Sequence, residues 1–253
     1  MAAKPTQSGA AIELMSSSED ITVGFDVACA CFGTQTRDGM WSAFNPAWDT
    51  PEGRKAGAQR MISRWNSITK DRNGDPNTVF LKATVPAPDD QSGTARKVVG
   101  FAIWIQLSMV DGHGDKPVED LSETTDLNTL YPGNKDEHSY LIKLNRSFHA
   151  KRTEVVKAKA STSSPAVFAL DMCVVDPEYQ GRGIAKDLVR WGIAEAERRG
   201  GLELVTEASI MGRGVYEKLG FKPQWPEIVY EFDPQFESRS RPSNLFMRTG
   251  GEP

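Results

Sequence analysis

The chain has 253 residues, enough to bury one large core or two small ones, and its 39% hydrophobic and 25% charged residues are ordinary for a globular protein. A net charge of −4 gives no reason to expect nucleic-acid or anionic-membrane binding, and it tolerates a cationic substrate. No apolar run reaches the length of a membrane span, and MAAKPTQSGAA lacks the apolar centre of a signal peptide, so a cytoplasmic protein is expected.

Residues 1–10 read as a flexible N-terminus, and AIELM as a short first strand. Ser18 reads as an N-cap before Glu19 and Asp20, acids suited to the positive end of a helix, and predicts a helix running to about Phe32. Cys29 and Cys31 lie on it. With Cys173 they lack the further Cys or closely spaced His of a zinc site, so no metal is expected and inert thiols in a reducing compartment are. Thr50-Pro51-Glu52 starts a second helix, with Met61, Ile62, Trp65 and Ile68 on one face and an end near Asp71. RNGDPN is a turn; TVFLKATV and KVVGFAIWIQ then read as an antiparallel hairpin joined by the polar linker PAPDDQSGTAR.

Residues 107–134 carry GHGD, YPGN and a cluster of acids at Glu119, Asp120, Glu123 and Asp126; they read as a solvated loop or as a segment covering a substrate. From Asp136, the spacing of Tyr140, Leu141, Leu144 and Phe148 predicts a helix, followed by the linker AKASTSSP. AVFALDMCVV is a long strand. After QGRG a helix buries Ile184, Ala185, Leu188, Val189, Gly192, Ile193 and Ala196, turns Lys186, Asp187, Arg190, Glu195 and Arg198 to water, and closes at Gly200-Gly201. LELVTEAS is a strand, GRGVYEKLGF a short helix, and EIVYEF and SNLFMR two further strands. Strand, helix and strand at these lengths imply neighbouring parallel strands.

The turn QGRGIA sits where a buried strand becomes a helix. Its two glycines relieve a tight corner, or they leave bare backbone N–H groups facing an anion such as a diphosphate. The spacing is not that of the G-x-G-x-x-G dinucleotide fingerprint. Taken with the amphipathic helix, the next strand and VYEKLGF, the order Q-x-x-G-x-A resembles the GCN5-related N-acetyltransferases (GNAT). The resemblance is strong over about 168–223, looser over 12–106, and leaves 107–165 unexplained.

The resemblance implies an α/β fold: a mixed, mostly antiparallel central sheet with a splayed parallel strand pair and flanking helices. It implies one domain over 11–249 with an insert at about 107–165. It implies acetyl-coenzyme A (acetyl-CoA) as cosubstrate, with its pyrophosphate on Gln180, Gly181, Arg182, Gly183, Ile184 and Ala185. Cys173, Val174 and Val175 of CVVDPEY would pair with the pantetheine arm, and Tyr216 of YEKLGF would face the thioester sulfur. Many members have Asn seven residues before that tyrosine; here the place holds Ser209.

Acetyl transfer to an amine needs a neutral amine, a proton for the departing thiolate and a donor for the oxyanion. An alkyl ammonium has a pKa of roughly 10, so a carboxylate is sought to take its proton. Glu207 and Asp171, each inside an apolar strand, are the candidates for that base, or else they anchor neighbouring backbone. Tyr216 is the candidate acid, or a packed aromatic. Arg182 and Arg213 meet the adenosine phosphates or stay solvated. His113, His138 and His149 are scattered and read as surface or capping residues. The acceptor expected is a small-molecule amine, with overall acidity favouring a compact cation; a protein lysine or N-terminus is the alternative, and a non-catalytic acyl-CoA-binding module the second.

Overall fold

Seven strands build one sheet: β1 (Ala11–Leu14), β2 (Thr78–Pro86), β3 (Arg96–Ser108), β4 (Ala166–Val175), β5 (Glu203–Ser209), β6 (Lys222–Pro223) and β7 (Asn244–Arg248). In this computed structural model, which describes residues 8–87 and 94–250, their order is β1-β2-β3-β4-β5-β7-β6. Only β4 and β5 run parallel; the other pairs are antiparallel, as the sheet expected from the motifs requires. The β4–β5 ladder covers Val167–Leu170 against Glu203–Thr206 and then stops, although both strands continue. This is the splay.

Alternation sorts the strand side chains into two layers. Val79, Leu81, Ala83, Ala102, Trp104, Phe168 and Leu170 face one way, onto α6 (Ile184–Arg198). Phe80, Phe101 and Ile103 face the other, onto α1 (Ser18–Ala28) and α3 (Pro51–Asn66). Farther along that second face, Val167, Ala169, Val205 and Phe246 meet Val155 and Val156 of α5 (Lys135–Lys159). Each fully buried Leu, Ile or Val of α6 contributes about 1.5–3 kcal/mol. Gly192 of α6 is there because nothing larger fits: a Cβ would lie 2.1 Å from the ring of Trp104, which is fully buried and stacked on Phe168. Gly192→Ala should therefore destabilise by about 1–3 kcal/mol through overpacking, read as a lower midpoint in thermal unfolding; an unchanged midpoint would show that the ring can yield.

Several boundaries differ from the sequence reading. Ser17, not Ser18, caps α1, accepting from the Asp20 N–H at 3.1 Å. The chain then continues as a π-helical stretch, Cys29–Gln35, and α2 (Gly39–Phe44), capped by Asp38, follows unpredicted. α3 ends at Asn66 rather than near Asp71. EIVYEF is not a strand. Its alternation is real, since Ile228, Tyr230 and Phe232 all enter an apolar cluster with Tyr140, Leu144 and Phe148 of α5. Its lateral bonds are isolated, however: Ile228 N–H to Asn244 O, and Glu231 N–H to the Ser147 hydroxyl. Period two here records burial, not pairing.

Residues 1–7 and 88–93, within the expected loose end and hairpin linker, lie outside the described residues. Ser8 donates its N–H to Asp187 Oδ2 at 3.0 Å, and Ala10 is buried. Asp187, expected to face water, is therefore buried, with Arg190 as its second partner. In the segment after β3, Leu121, Leu127 and Leu130 join the cluster around α5, with Leu127 and Leu130 bounding the short helix α4 (Leu127–Leu130). The acids there cap turns or pair at the surface: Asp120 accepts from Ser122, Asp126 from Asn128, and Glu119 meets Lys157.

Candidate active site

The turn between β4 and α6 is built to leave donors free. Gly181 has φ +76° with no described residue within 4 Å of where a Cβ would stand, and Gly183, at φ +89°, is the N-cap of α6 and offers no side chain to the first turn. Positive φ at both places favours glycine. The first N–H groups of α6 thus lack intrahelical partners at the positive end of the helix dipole, a fit for a diphosphate. Ile184 is buried and anchors the helix start in the core beneath the turn.

Gln180 does not project outward. Its Nε2 donates to Val175 O at 2.9 Å, and its amide exchanges two 2.9 Å hydrogen bonds with Gln35 on the π-helical stretch. Cys31 donates its thiol to the same Val175 carbonyl at 3.0 Å. These contacts fix the end of β4 against the turn. Arg182 folds back on Glu178 O and lies over the Tyr179 ring. Arg213 is held by Glu227, Ser243 and the face of Trp225 rather than by the turn. Ser209 is the N-cap of α7 (Ile210–Glu217), its hydroxyl accepting from the Gly212 N–H at 3.3 Å.

Tyr216 and Cys173 approach each other beside the splay. The Tyr216 ring packs on Phe221 and Gly212, and its hydroxyl is pushed well above the usual tyrosine value by burial, with Cys173 adding to the effect. Burial likewise pushes the Cys173 thiol up to about 12 and the Cys31 thiol to about 12, so neither is a thiolate at neutral pH. All three cysteines are free. Val174 and Val175 are buried, and β4 from Cys173 to Val175 bonds to β3 on one side only.

The two strand carboxylates come together, through an arginine that sequence reasoning missed. Arg152 of α5, with 4% of its side chain exposed, donates Nε to Glu207 Oε1 at 3.0 Å, Nη2 to Glu207 Oε2, and Nη1 to Asp171 Oδ1 at 3.0 Å. Arg64 of α3 donates to Asp171 Oδ2 at 2.9 Å. Burial alone would raise the Asp171 pKa, but Arg64 and Arg152 outweigh it and hold that carboxyl well below the usual range. Glu207 is pushed up by burial against the pull of Arg152. His149, one helical turn before Arg152, is driven down to about 3 by burial and by both arginines, so it is neutral. The signal for Arg152 was available: it continues the buried stripe of Leu141, Leu144, Val155 and Val156 at helical spacing. His113 and His138 stay apart from this cluster, with His138 bonded to Tyr131 O.

Among the described residues no group of His, Cys, Asp and Glu side chains could hold a metal ion, and no helix is long and apolar enough to cross a membrane.

Residues 97–221, covering β3 to the end of the Tyr216 helix, match the family model described as the acetyltransferase (GNAT) family. No curated protein matches the chain. Among solved structures, a mosquito arylalkylamine N-acetyltransferase like 5b is 13% identical, covering 94% of this chain and 97% of that one, with a TM-score of 0.56. An agmatine N-acetyltransferase variant in its apo form is 11% identical over 94% and 97%, also with a TM-score of 0.56. A protein described as histone acetyltransferase HPA2 and related acetyltransferase, from Corynebacterium glutamicum, is 16% identical over 96% and 98%, with a TM-score of 0.53. At these identities the likeness is one of fold. With the turn, the splay and the match over 97–221, the chain carries a GNAT-family acetyltransferase domain and is an acetyl-CoA-dependent N-acetyltransferase.

Proposed function

We propose that the acceptor is a primary amine of a small molecule, acetylated directly in a ternary complex. One observation carries this reading: the face of the splay opposite α6 is roofed by α5, leaving Glu207 and Arg152 with 1% and 4% of their side chains exposed. A compact amine can be enclosed beside such a roof more readily than a lysine on a folded protein surface. Fold neighbours named as an arylalkylamine N-acetyltransferase-like protein and an agmatine N-acetyltransferase support the same class.

The thioester supplies the acetyl group; the chain supplies position and protons. The Q-x-x-G-x-A turn, Gln180 to Ala185, holds the pyrophosphate, and the end of β4 that β5 leaves unpaired, Cys173–Val175, lines the pantetheine arm, with Val175 O already taken by Gln180 and Cys31. Ser209 and Arg213 take a secondary part in this reading, because both are engaged elsewhere in the fold. Tyr216 keeps its proton across the physiological range and donates it to the departing sulfur. Of the two carboxylates we assign Asp171 to the amine, since 16% of its side chain is exposed against 1% for Glu207. Held low by its arginines, Asp171 is a weak proton acceptor; it orients the ammonium, and the proton leaves to water.

That assignment fixes a pH dependence. With no enzymatic base near neutrality, kcat/KM for the amine should rise steadily with pH toward the acceptor's own pKa, roughly 10 for an alkyl amine. A plateau already reached at neutral pH would instead reveal a base within the site. The substrate class is tested by thiol release from acetyl-CoA with an arylalkylamine, agmatine, a polyamine and a lysine peptide. Turnover confined to the peptide would overturn the small-molecule reading.

A further inference from the structure

Arg152 stands on α5, in the long segment between β3 and β4, and it touches both strands at the point where they part. The last β4–β5 pair is Leu170 with Thr206. The next residue on each strand is Asp171 and Glu207, and these are the two that Arg152 joins. β4 also carries an extra residue here: Met172 faces Ile103 and Leu170 faces Trp104, so Asp171 has no partner in the β3 ladder. Such a bulge bends its strand and re-aims a side chain.

Along the middle of the α5–sheet contact the side chains are apolar, Val155, Val156, Val167, Ala169, Val205 and Phe246, and the other charged contact, Lys159 with Glu203, lies at the opposite end of β5 from the splay. Stability alone gives little reason for charge at this one spot, because well-packed apolar groups often serve as well as a buried ion pair. A guanidinium is planar and rigid, so one bonded to a carboxylate on each strand fixes their separation. Arg64 occupies the second oxygen of Asp171 and balances the charge of the cluster.

We infer that Arg152 is the strut that sets the width of the gap between β4 and β5, and with it the fit of the thioester end of coenzyme A. The inference rests on the acetyltransferase assignment. It makes Arg152 a positioning residue, acting through the two strands rather than on the reacting atoms, and gives the segment between β3 and β4 a part in cosubstrate binding.

Two variants test it. Arg152→Lys keeps the charge but cannot span both carboxylates. Arg152→Met combined with Asp171→Asn and Glu207→Gln removes the strut without leaving a buried charge unpaired. Coenzyme A alone is the probe, by calorimetry, with amide hydrogen exchange as the second readout. Both variants should bind coenzyme A at least about 10-fold more weakly, the effect of losing one or two hydrogen bonds to the ligand. In the triple variant, the amides of Asp171–Val175 that do not bond to β3 should exchange more slowly, as the freed strand edges pair with each other. Affinities within about twofold of the wild type, well under the tenfold step, would overturn the inference. So would faster exchange throughout the sheet in both variants, which would make Arg152 a general support of the fold. A wild-type chain that failed to bind coenzyme A would instead overturn the acetyltransferase assignment itself.

Discussion

Gly183→Glu should abolish coenzyme A binding while the chain remains folded. The residue is the N-cap of α6, with φ +89° and ψ 0°, and among the described residues its one close neighbour on the Cβ side is Ser8, 3.8 Å away. A side chain would therefore find room, and the fold would bear a left-handed strain of about 1–3 kcal/mol. The carboxylate, though, would stand at the mouth of the free N–H groups, filling the approach and repelling the phosphates proposed to bind there. Gly183→Ala separates the two effects, since it carries the strain without the charge and should weaken binding far less. Circular dichroism checks the fold and calorimetry the affinity. Unchanged affinity in Gly183→Glu would remove the diphosphate from this turn.

Tyr216→Phe should lower turnover by roughly 10²-fold or more, the scale of a lost general acid. The ring and its packing on Phe221 and Gly212 survive the change, so the affinity for acetyl-CoA should barely move. Burial raises the phenol well above its usual pKa, so the proton is present at any working pH. The same shift makes Tyr216 a weaker acid than an ordinary tyrosine, so in this role it acts first as a hydrogen-bond donor to the sulfur as charge develops there. Wild-type turnover, measured where chemistry limits the rate, would reduce Tyr216 to packing. The enzyme assignment would survive, because water can protonate a thiolate whose conjugate acid has a pKa near ~8.5.

The part of the site that was readable from the chain alone is the part whose causes are local. QGRGIA needs two positive-φ residues and a helix start within six positions, and glycine spacing writes that directly into the sequence. The strands β2 to β5 are apolar, β-branched or aromatic runs of strand length, as strands covered on both faces require, and α6 carries the period of 3.6 that reports which side is buried. YEKLGF places Tyr216 on the last short helix for the same reason. Even the misreading of EIVYEF is instructive: alternation records which side chains are covered, and says nothing of whether the backbone finds a neighbour to pair with.

The charged cluster belongs to the tertiary structure. Arg152 is 55 residues from Glu207 and 19 from Asp171, and Arg64 is 107 from Asp171, so no window of sequence contains their meeting. Sequence showed that two carboxylates interrupt apolar strands and that a buried charge requires a partner. It left open whether that partner was an incoming amine or the protein itself. The fold decides for the protein at Glu207, whose two oxygens both face Arg152, and leaves Asp171 at the edge of solvent between two guanidinium groups. Apolar runs and helical periodicity determined the strands and α6, glycine spacing determined the turn, and the resemblance of those motifs to the GNAT family implied the cosubstrate. Only the packing of α5 across the diverging ends of β4 and β5 determined which charges are already paired, because an ion pair forms where chains meet in space and not along the chain.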